Sequence, residues 1–541
     1  MSSSNFLRGT LLLTGASFLS KFLGMIYVIP FTNMVDETGM TLYGFAYVPY
    51  SIMLSISTIG VPLAVSKFVA KYNAINDYYT SMRMFKVGTF IMLINGIIAF
   101  LIMYFGAELI AGWTVDKDNK NITLNEVKHV IQMVSFALLI IPGMAIMRGF
   151  FQGNKSMGPT AVSQVIEQII RIIFLLVTVS VVVVVLQGKI STAIGFAAFS
   201  AFVGGIASWV VLAFYWKKRK KYIDAAIASQ KYKKKIPISI LVKELLRYAG
   251  PFVLIGIAIP LYQMIDQFTF IHAMSEIGKR DVADIVYSVF TVQGHKLVII
   301  PVTIATGLSL ALIPEITAAY NAKDMQKLKK QINQALQIIM FFVLPAIFGL
   351  IILADSIYGS LFNLDNLALT GKVFAWYAPV ALTFAFFTVT SSILQGIDRQ
   401  SFTLISLSAG ILTKILLNSL FIQTFEEIGG AVLVTLIATS IAVLLNLWQI
   451  KKAIDFQFRK FFKLTFLMII FTAIMVFGIL IVKVTLGMFL DVYHNRVHAI
   501  IMMLIGIGVG GTIYLYLGYS STLFERITGR RIAIIDKLLR R

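Results

Sequence analysis

Residues Phe18-Leu19-Ser20-Lys21-Phe22-Leu23-Gly24-Met25-Ile26-Tyr27-Val28-Ile29-Pro30-Phe31 form an apolar run with one ammonium group set within it. A charge at bilayer depth costs roughly 2.5–3.5 kcal/mol on insertion scales, and such groups face a cavity or a substrate path. Comparable apolar stretches recur from one end of the chain to the other. Its 541 residues are 58% hydrophobic and only 13% charged, well below the roughly one quarter charged of soluble domains. The runs are continuous and do not alternate, which excludes a β-barrel. An all-α polytopic membrane protein with about fourteen transmembrane helices is expected. The first apolar stretch has no small-residue cleavage site, so no cleavable signal peptide is expected. Cysteine is absent, which excludes disulfides and cysteine-based metal sites.

The segments are expected at 8–32, 41–66, 84–108, 127–151, 160–186, 190–216, 247–274, 283–313, 333–356, 370–396, 401–423, 427–450, 461–486 and 496–520. Basic residues then fall on alternate loops. One set holds Lys67, Lys71, Arg83 and Lys86, then Lys217-Lys218-Arg219-Lys220-Lys221 and Lys233-Lys234-Lys235, then Lys323 to Lys330, then Lys451, Lys452, Arg459 and Lys460. The intervening loops are short and neutral or acidic, as at Asp36-Glu37 and Glu426-Glu427. By the positive-inside rule both termini are expected in the cytoplasm. The net charge of +22 would suit nucleic acid, but this placement assigns it to topology anchors and anionic-lipid contacts.

The chain also repeats itself. Gln152-Gly153 is followed by Lys155 and a helix holding Arg171; Gln395-Gly396 is followed by Arg399 and a helix holding Lys414. Thr160 and Ser163 match Thr403 and Ser406 at the same spacing. Ile194-Gly195 and Lys217-Lys218 match Ile428-Gly429 and Lys451-Lys452. Segments one to six and seven to twelve therefore read as two copies of a six-helix unit in one orientation, related by a pseudo-two-fold axis along the membrane normal. The expected organisation is an N-terminal lobe (1–216), a basic cytoplasmic linker (217–246), a C-terminal lobe (247–450), and a helix pair with a basic tail (451–541). Two such lobes suit a transporter that rocks about a midplane site, although a repeat alone also fits some channels.

A second deep cation, Lys296, stands at a depth similar to Lys21: about 26 Å against about 20 Å from the cytoplasmic end of its helix at 1.5 Å per residue. The two are expected to face one hydrated cavity that attracts an anion. Arg171 has Glu167 one turn earlier, and a local ion pair is expected there. Lys414 has Gly410 and Asn418 at the corresponding positions and no local acid. Arg8 and Lys67, near the cytoplasmic surface, are candidates for the inner mouth of a cationic funnel. Asp266, a lone acid in the seventh segment, either binds a coupling cation or pairs with a lysine. Gly506-Ile507-Gly508-Val509-Gly510-Gly511 lies in the last segment with no strand before it, so it reads as close helix packing. No phosphate-binding loop, no metal-spaced histidine pattern and no large extramembrane domain is present, so neither ATP hydrolysis nor any other enzyme activity is expected.

The stretches Arg8-Gly9-Thr10, Ser20-Lys21-Phe22-Leu23-Gly24 and Gly60-Val61-Pro62-Leu63-Ala64-Val65-Ser66-Lys67 resemble the polysaccharide-export branch of the MOP flippase superfamily, above all the MurJ-type lipid II flippases of Gram-positive bacteria and their sporulation relatives. The resemblance spans essentially the whole chain. It implies that Lys21 and Lys296 bind a lipid diphosphate, with Arg8, Lys67, Arg171 and Lys414 as further substrate-binding candidates. Other cavity arginines of the Gram-negative relatives fall on Tyr27 and Met53. Asp266 and Asn418 match positions that hold sodium in some relatives, while a further acid falls on Ile422. Segments thirteen and fourteen are implied to form a groove for the undecaprenyl tail. No cofactor is implied; transport draws on the membrane potential, a Na+ or H+ gradient, or the substrate's own gradient. The expected partners are a lipid-linked saccharide and membrane lipids, for a protein acting as a monomer near cell-wall synthesis proteins. The alternatives are a flippase for another lipid-linked polysaccharide or spore-cortex precursor, a multidrug–cation antiporter, whose cavity would carry carboxylates, and a glycosyltransferase or ligase on the same carrier, which would need outer acidic or histidine groups.

Overall fold

The computed structural model describes residues 3–528 apart from 59, 116–121, 231–235, 363 and 426–428; the side chains of 3–11 and of a few other helical residues also lie outside the description. Among the described residues every regular element is a helix. Contacts divide the chain into two units, Met1–His272 and Ala273–Arg541.

The first unit opens with α1 (Ser3–Ile26), α2 (Val28–Thr58) and α3 (Val61–Ala74). Asp36, with φ 58 and ψ −174, breaks α2, and its Oδ1 accepts from Gly39 N at 2.9 Å. The first acidic loop is therefore an aspartate-stabilised break inside a helical stretch. A second break falls at Gly60, φ 95, where a Cβ would come within 2.4 Å of Ala249 O; only glycine fits both demands. The unit continues through α4 (Tyr78–Phe105), α5 (Ala107–Thr114), α6 (Leu124–Ser135), α7 (Ala137–Gly153), α8 (Gly158–Ser180) with a π-helical turn at Val181–Val185, α9 (Ile190–Ala228) and α10 (Ile238–Glu276). Residues such as Phe90, Leu101 and Phe105 leave an apolar exposed face on α4, as a lipid-facing helix requires.

The expected linker 217–246 is largely helical: α9 continues through the lysine run to Ala228, and α10 begins at Ile238. The division between units falls inside α10, later than the expected boundary. Leu241, Leu245 and Ala249 join a core cluster with Val61, Val65, Phe85 and Phe150. Further along α10, buried Gln267 Nε2 donates to Phe45 O and Thr114 Oγ1, both at 2.9 Å.

The second unit holds α11 (Arg280–Ser288), a π-helical turn at Val289–Gln293, α12 (Gly294–Asn321), α13 (Met325–Ile352), α14 (Ala354–Leu361), α15 (Leu367–Tyr377), α16 (Val380–Gly396), α17 (Gln400–Phe425), α18 (Gly429–Ile454), α19 (Arg459–Gly487), α20 (Arg496–Ser520) and α21 (Leu523–Thr528). Local structure repeats as the sequence does. Asp77 caps α4 by accepting from Thr80 N, and Asp324 caps α13 by accepting from Lys327 N, each at 3.0 Å. After α7 and α16, Lys155 and Asp398 both adopt φ 56. The glycines of α20 pack closely: a Cβ at Gly506 would come within 2.7 Å of Leu353, and one at Gly510 within 2.6 Å of Ile479.

Twelve helical stretches among the described residues are long and apolar enough to cross a membrane, and one of them is the 60-residue stretch Gly15–Ala74. The expected count of about fourteen divides that stretch at Asp36 and includes 247–274, which falls in α10 and outside the twelve.

Candidate functional site

In the first unit α1 meets α8 along a polar seam. Ser17 Oγ donates to Gln164 Oε1 at 3.3 Å and Ser20 Oγ to Gln164 O at 3.4 Å, while a Cβ on Gly24 would lie 3.2 Å from Gln168 Nε2. Lys21 follows Ser20 and stands one turn after Ser17, on the side of α1 that meets this seam. It is exposed, and no carboxylate among the described residues pairs with it.

Gln164, Gln168 and Arg171 share one face of α8 at helical spacing. The Arg171 guanidinium donates from Nη2 to Tyr43 Oη at 3.3 Å and interacts electrostatically with Tyr27, Tyr47 and Tyr50 as well. Tyr43, Tyr47 and Tyr50 rise at i, i+4 and i+7 on α2. The first two rings stack at 5.5 Å, and the third lies 5.8 Å from the second. Arg171 Nε is buried with no hydrogen-bond partner among the described residues.

The expected Glu167–Arg171 pair does not form. Glu167 Oε2 instead accepts from Arg148 Nη2 at 2.7 Å, and Arg148 also donates to Ser163 Oγ at 2.9 Å and Ser208 Oγ at 2.8 Å. The fork of an arginine on α7 thus reaches acceptors on α8 and α9 together, which a neighbour on the same helix face cannot do. Close approach of α9 makes this geometry reachable: a Cβ at Gly204 would lie 2.8 Å from Glu167 O and 2.9 Å from Arg171 Cβ.

Lys67 lies exposed at the middle of α3, with Nζ 3.9 Å from the ring centroid of Tyr248 and 5.9 Å from that of Phe68, a cation–π seat. The Arg8 side chain lies outside the described residues. Asp266 is 5% exposed on α10 within the first unit.

In the second unit Lys296 is half-buried on α12, just past the π-helical turn. Such turns displace side chains from the regular helical progression. The preceding residues are held in place: Gln293 Oε1 accepts from Tyr358 Oη at 2.7 Å and Ser288 Oγ at 3.0 Å, and His295 Nδ1 lies 2.8 Å from Tyr377 Oη. The residue after Lys296, Leu297, begins an apolar groove of about 480 Å3 that continues through Pro301, Phe341, Pro345, Met475, Gly510 and Tyr514. The groove therefore joins α12 and α13 to α19 and α20.

Lys414 is fully buried and donates from Nζ to Thr435 Oγ1 between α17 and α18. Cavity exposure of this lysine, which the lack of a local acid left open, is not seen: the ammonium is buried and donates to a threonine of the neighbouring helix. Asn418, one turn on, is also fully buried. Contacts assign Asn418 to the second unit and Asp266 to the first. Among the described residues no group of three His, Asp or Glu side chains is arranged to hold a metal ion.

The sequence reading missed Arg148 and the tyrosines of α2. The i, i+4, i+7 spacing of Tyr43, Tyr47 and Tyr50 was the available signal for the tyrosines. Arg148 carried none, because its repeat counterpart is Ser391.

The polysaccharide biosynthesis protein family model matches residues 6–320, and the MatE model matches 251–420. A solved lipid II flippase MurJ in an inward closed conformation superposes with a TM-score of 0.66 at 18% identity, covering 96% of this chain and all of that one. An inward-facing multidrug resistance MATE transporter of the MOP superfamily gives 0.60 at 15% identity, covering 81% of this chain and 94% of that one. These superpositions show that the chain shares the fold of both solved proteins. In sequence, the lipid II flippase MurJ of Bacillus subtilis (strain 168) is 41% identical over 533 residues, 98% of each chain. The chain belongs to the MurJ-type lipid II flippase family.

Proposed function

We propose that this chain moves undecaprenyl-diphosphate-linked peptidoglycan precursor, lipid II, from the inner to the outer leaflet of a bacterial cell membrane by alternating access. The observation that carries the reading is the 41% identity to a lipid II flippase over nearly the full length of both chains. The physical chemistry agrees with it. A diphosphate in hydrocarbon is prohibitive, and Lys21 offers an exposed ammonium with no carboxylate partner among the described residues, beside a seam of serine and glutamine side chains. Lys296 stands next to the start of the apolar groove, so a head held at the lysine would place its polyprenyl tail against Leu297 and Pro301.

In this reading Lys21 and Lys296 hold the diphosphate, and Arg171 with its tyrosines supplies a further polar wall. Lys67 and Arg8 draw the head in from the cytoplasmic side, where both termini lie. The two repeats act as lobes (1–216 and 247–450) joined by the basic segment 217–246, with 451–541 serving the tail. The protein works as a monomer near cell-wall synthesis proteins. The membrane potential, or a cation bound at Asp266 or near Asn418, drives the return step.

The test is depletion of the protein in its native cell, with lipid II labelled from each side of the membrane. Accumulation on the cytoplasmic leaflet is expected, with synthesis of the precursor unchanged. An unaltered leaflet distribution, with no other flippase able to substitute, contradicts the proposal.

A further inference from the structure

At one end of the first unit, the α3–α4 turn, the α7–α8 turn and the extension of α9 beyond Lys217 enclose a cavity of about 470 Å3, a volume within the usual range for ligand sites. Much of its lining is apolar, with Met82, Phe150, Phe151 and Ile223. Its rim is polar and basic. Asn73 Nδ2 donates to Asn154 Oδ1 at 3.0 Å, and Lys218 and Arg219 complete the edge. Arg219 is held in place: its guanidinium lies 5.6 Å from the Phe151 ring and 5.9 Å from the Tyr215 ring, and it donates to Ser156 Oγ. Neither Lys218 nor Arg219 has a carboxylate partner among the described residues. Lys217, Lys220 and Lys221 flank them in sequence and add positive potential.

Uncompensated cations over an apolar lining are complementary to an amphiphile with an anionic head. A neutral lipid would leave the cations unanswered, and a soluble phosphate would leave the apolar lining unfilled. The site lies at the basic end of the unit, which the positive-inside rule places against the anionic cytoplasmic leaflet. We infer that this cavity binds an anionic glycerophospholipid, its phosphate on Lys218 and Arg219 and one acyl chain over Met82, Phe150 and Phe151. This lipid is distinct from the transported one and ties the α9 extension to the α3–α4 and α7–α8 turns.

The full chain in phosphatidylcholine nanodiscs, given phosphatidylglycerol with a diazirine in one acyl chain, tests this. Irradiation and peptide mapping should place adducts on Met82, Phe150 or Phe151. Lys218 is exposed, so Lys218→Glu leaves the packing intact; it should lower the adduct yield roughly tenfold, the order expected when an acid replaces a basic group at an anionic head. Arg219→Lys should retain most of the yield. Equal labelling by the matching phosphatidylcholine probe, an unchanged yield in Lys218→Glu, or loss of labelling on adding inorganic phosphate alone would each overturn the assignment, the last by making it a site for soluble phosphate.

Discussion

At equivalent places in the two repeats, the same three helices are joined by an ion pair in one and by neutral groups in the other. In the first repeat Arg148 on α7 binds Glu167 and Ser163 on α8 and Ser208 on α9. In the second, Ser406 on α17 donates to Asn446 Oδ1 on α18 at 2.6 Å, and Asn446 Nδ2 donates to Thr390 Oγ1 at 3.1 Å and Ser391 Oγ at 3.3 Å on α16. Ser391 is the counterpart of Arg148, Gly410 of Glu167, and buried Leu212 of Asn446. A neutral network is thus sufficient to join the three helices. The charges in the first repeat are not required for joining them, and they stand one turn from Arg171, itself seated among tyrosines. Opposite charges at such depth demand mutual satisfaction, because either one left alone carries its whole desolvation cost.

The largest expected effect comes from breaking the ionic version. Glu167→Ala leaves the Arg148 guanidinium without its carboxylate and should destabilise the protein by about 3–5 kcal/mol, read as a lower denaturation midpoint in detergent. Converting the first repeat to the second, with Arg148→Ser, Glu167→Gly and Leu212→Asn together, should recover most of that loss. A triple variant no more stable than Glu167→Ala would break the equivalence. The reverse probe is smaller: Asn446→Leu removes three neutral hydrogen bonds and should cost about 1–3 kcal/mol in the same measurement. Lys414→Met removes a buried ammonium together with its desolvation cost and should shift the midpoint little; transport at the unmodified rate would show that this lysine does not hold the substrate. Smallest is the surface pair at the α5–α6 end, where Lys128 Nζ lies 2.7 Å from Glu108 Oε2. Its hydrogen bond and charge hold the Glu108 carboxyl below the ordinary carboxylate range. Being depressed on folding, the carboxyl favours the fold above its ordinary pKa and ceases to as pH falls through the folded value, by too little at so exposed a site to move the midpoint. Lys128→Ala should return the carboxyl to the ordinary range in a titration followed by isotope-edited NMR, with no measurable change in unfolding midpoint.

Much of this comparison was legible beforehand. The matched Gln-Gly pairs, Thr160 with Thr403 and Ser163 with Ser406 located the repeat without coordinates, and the turns after α7 and α16 share one backbone conformation. The polytopic helical fold followed from continuous apolar runs. Less legible was the partner of Glu167. Spacing favours Arg171 on the same helix, but the competing guanidinium lies on another helix, and its reach depends on a glycine contact between α8 and α9 that no local pattern records. Lys414 was ambiguous for a related reason, since its hydroxyl partner, Thr435, also comes from a neighbouring helix. The lysine run after segment six suggested a linker; its residues are nonetheless good helix formers, and α9 continues through them.

The proposed transport requires the ammonium of Lys21 to hold the diphosphate. The most direct measurement is outer-leaflet exposure of lipid II in cells whose only flippase is this chain, comparing Lys21→Ala and Lys21→Arg with the unmodified protein at matched expression. Exposure should be lost in Lys21→Ala and retained in Lys21→Arg, which preserves the charge. Exposure in Lys21→Ala at the unmodified level would contradict that requirement.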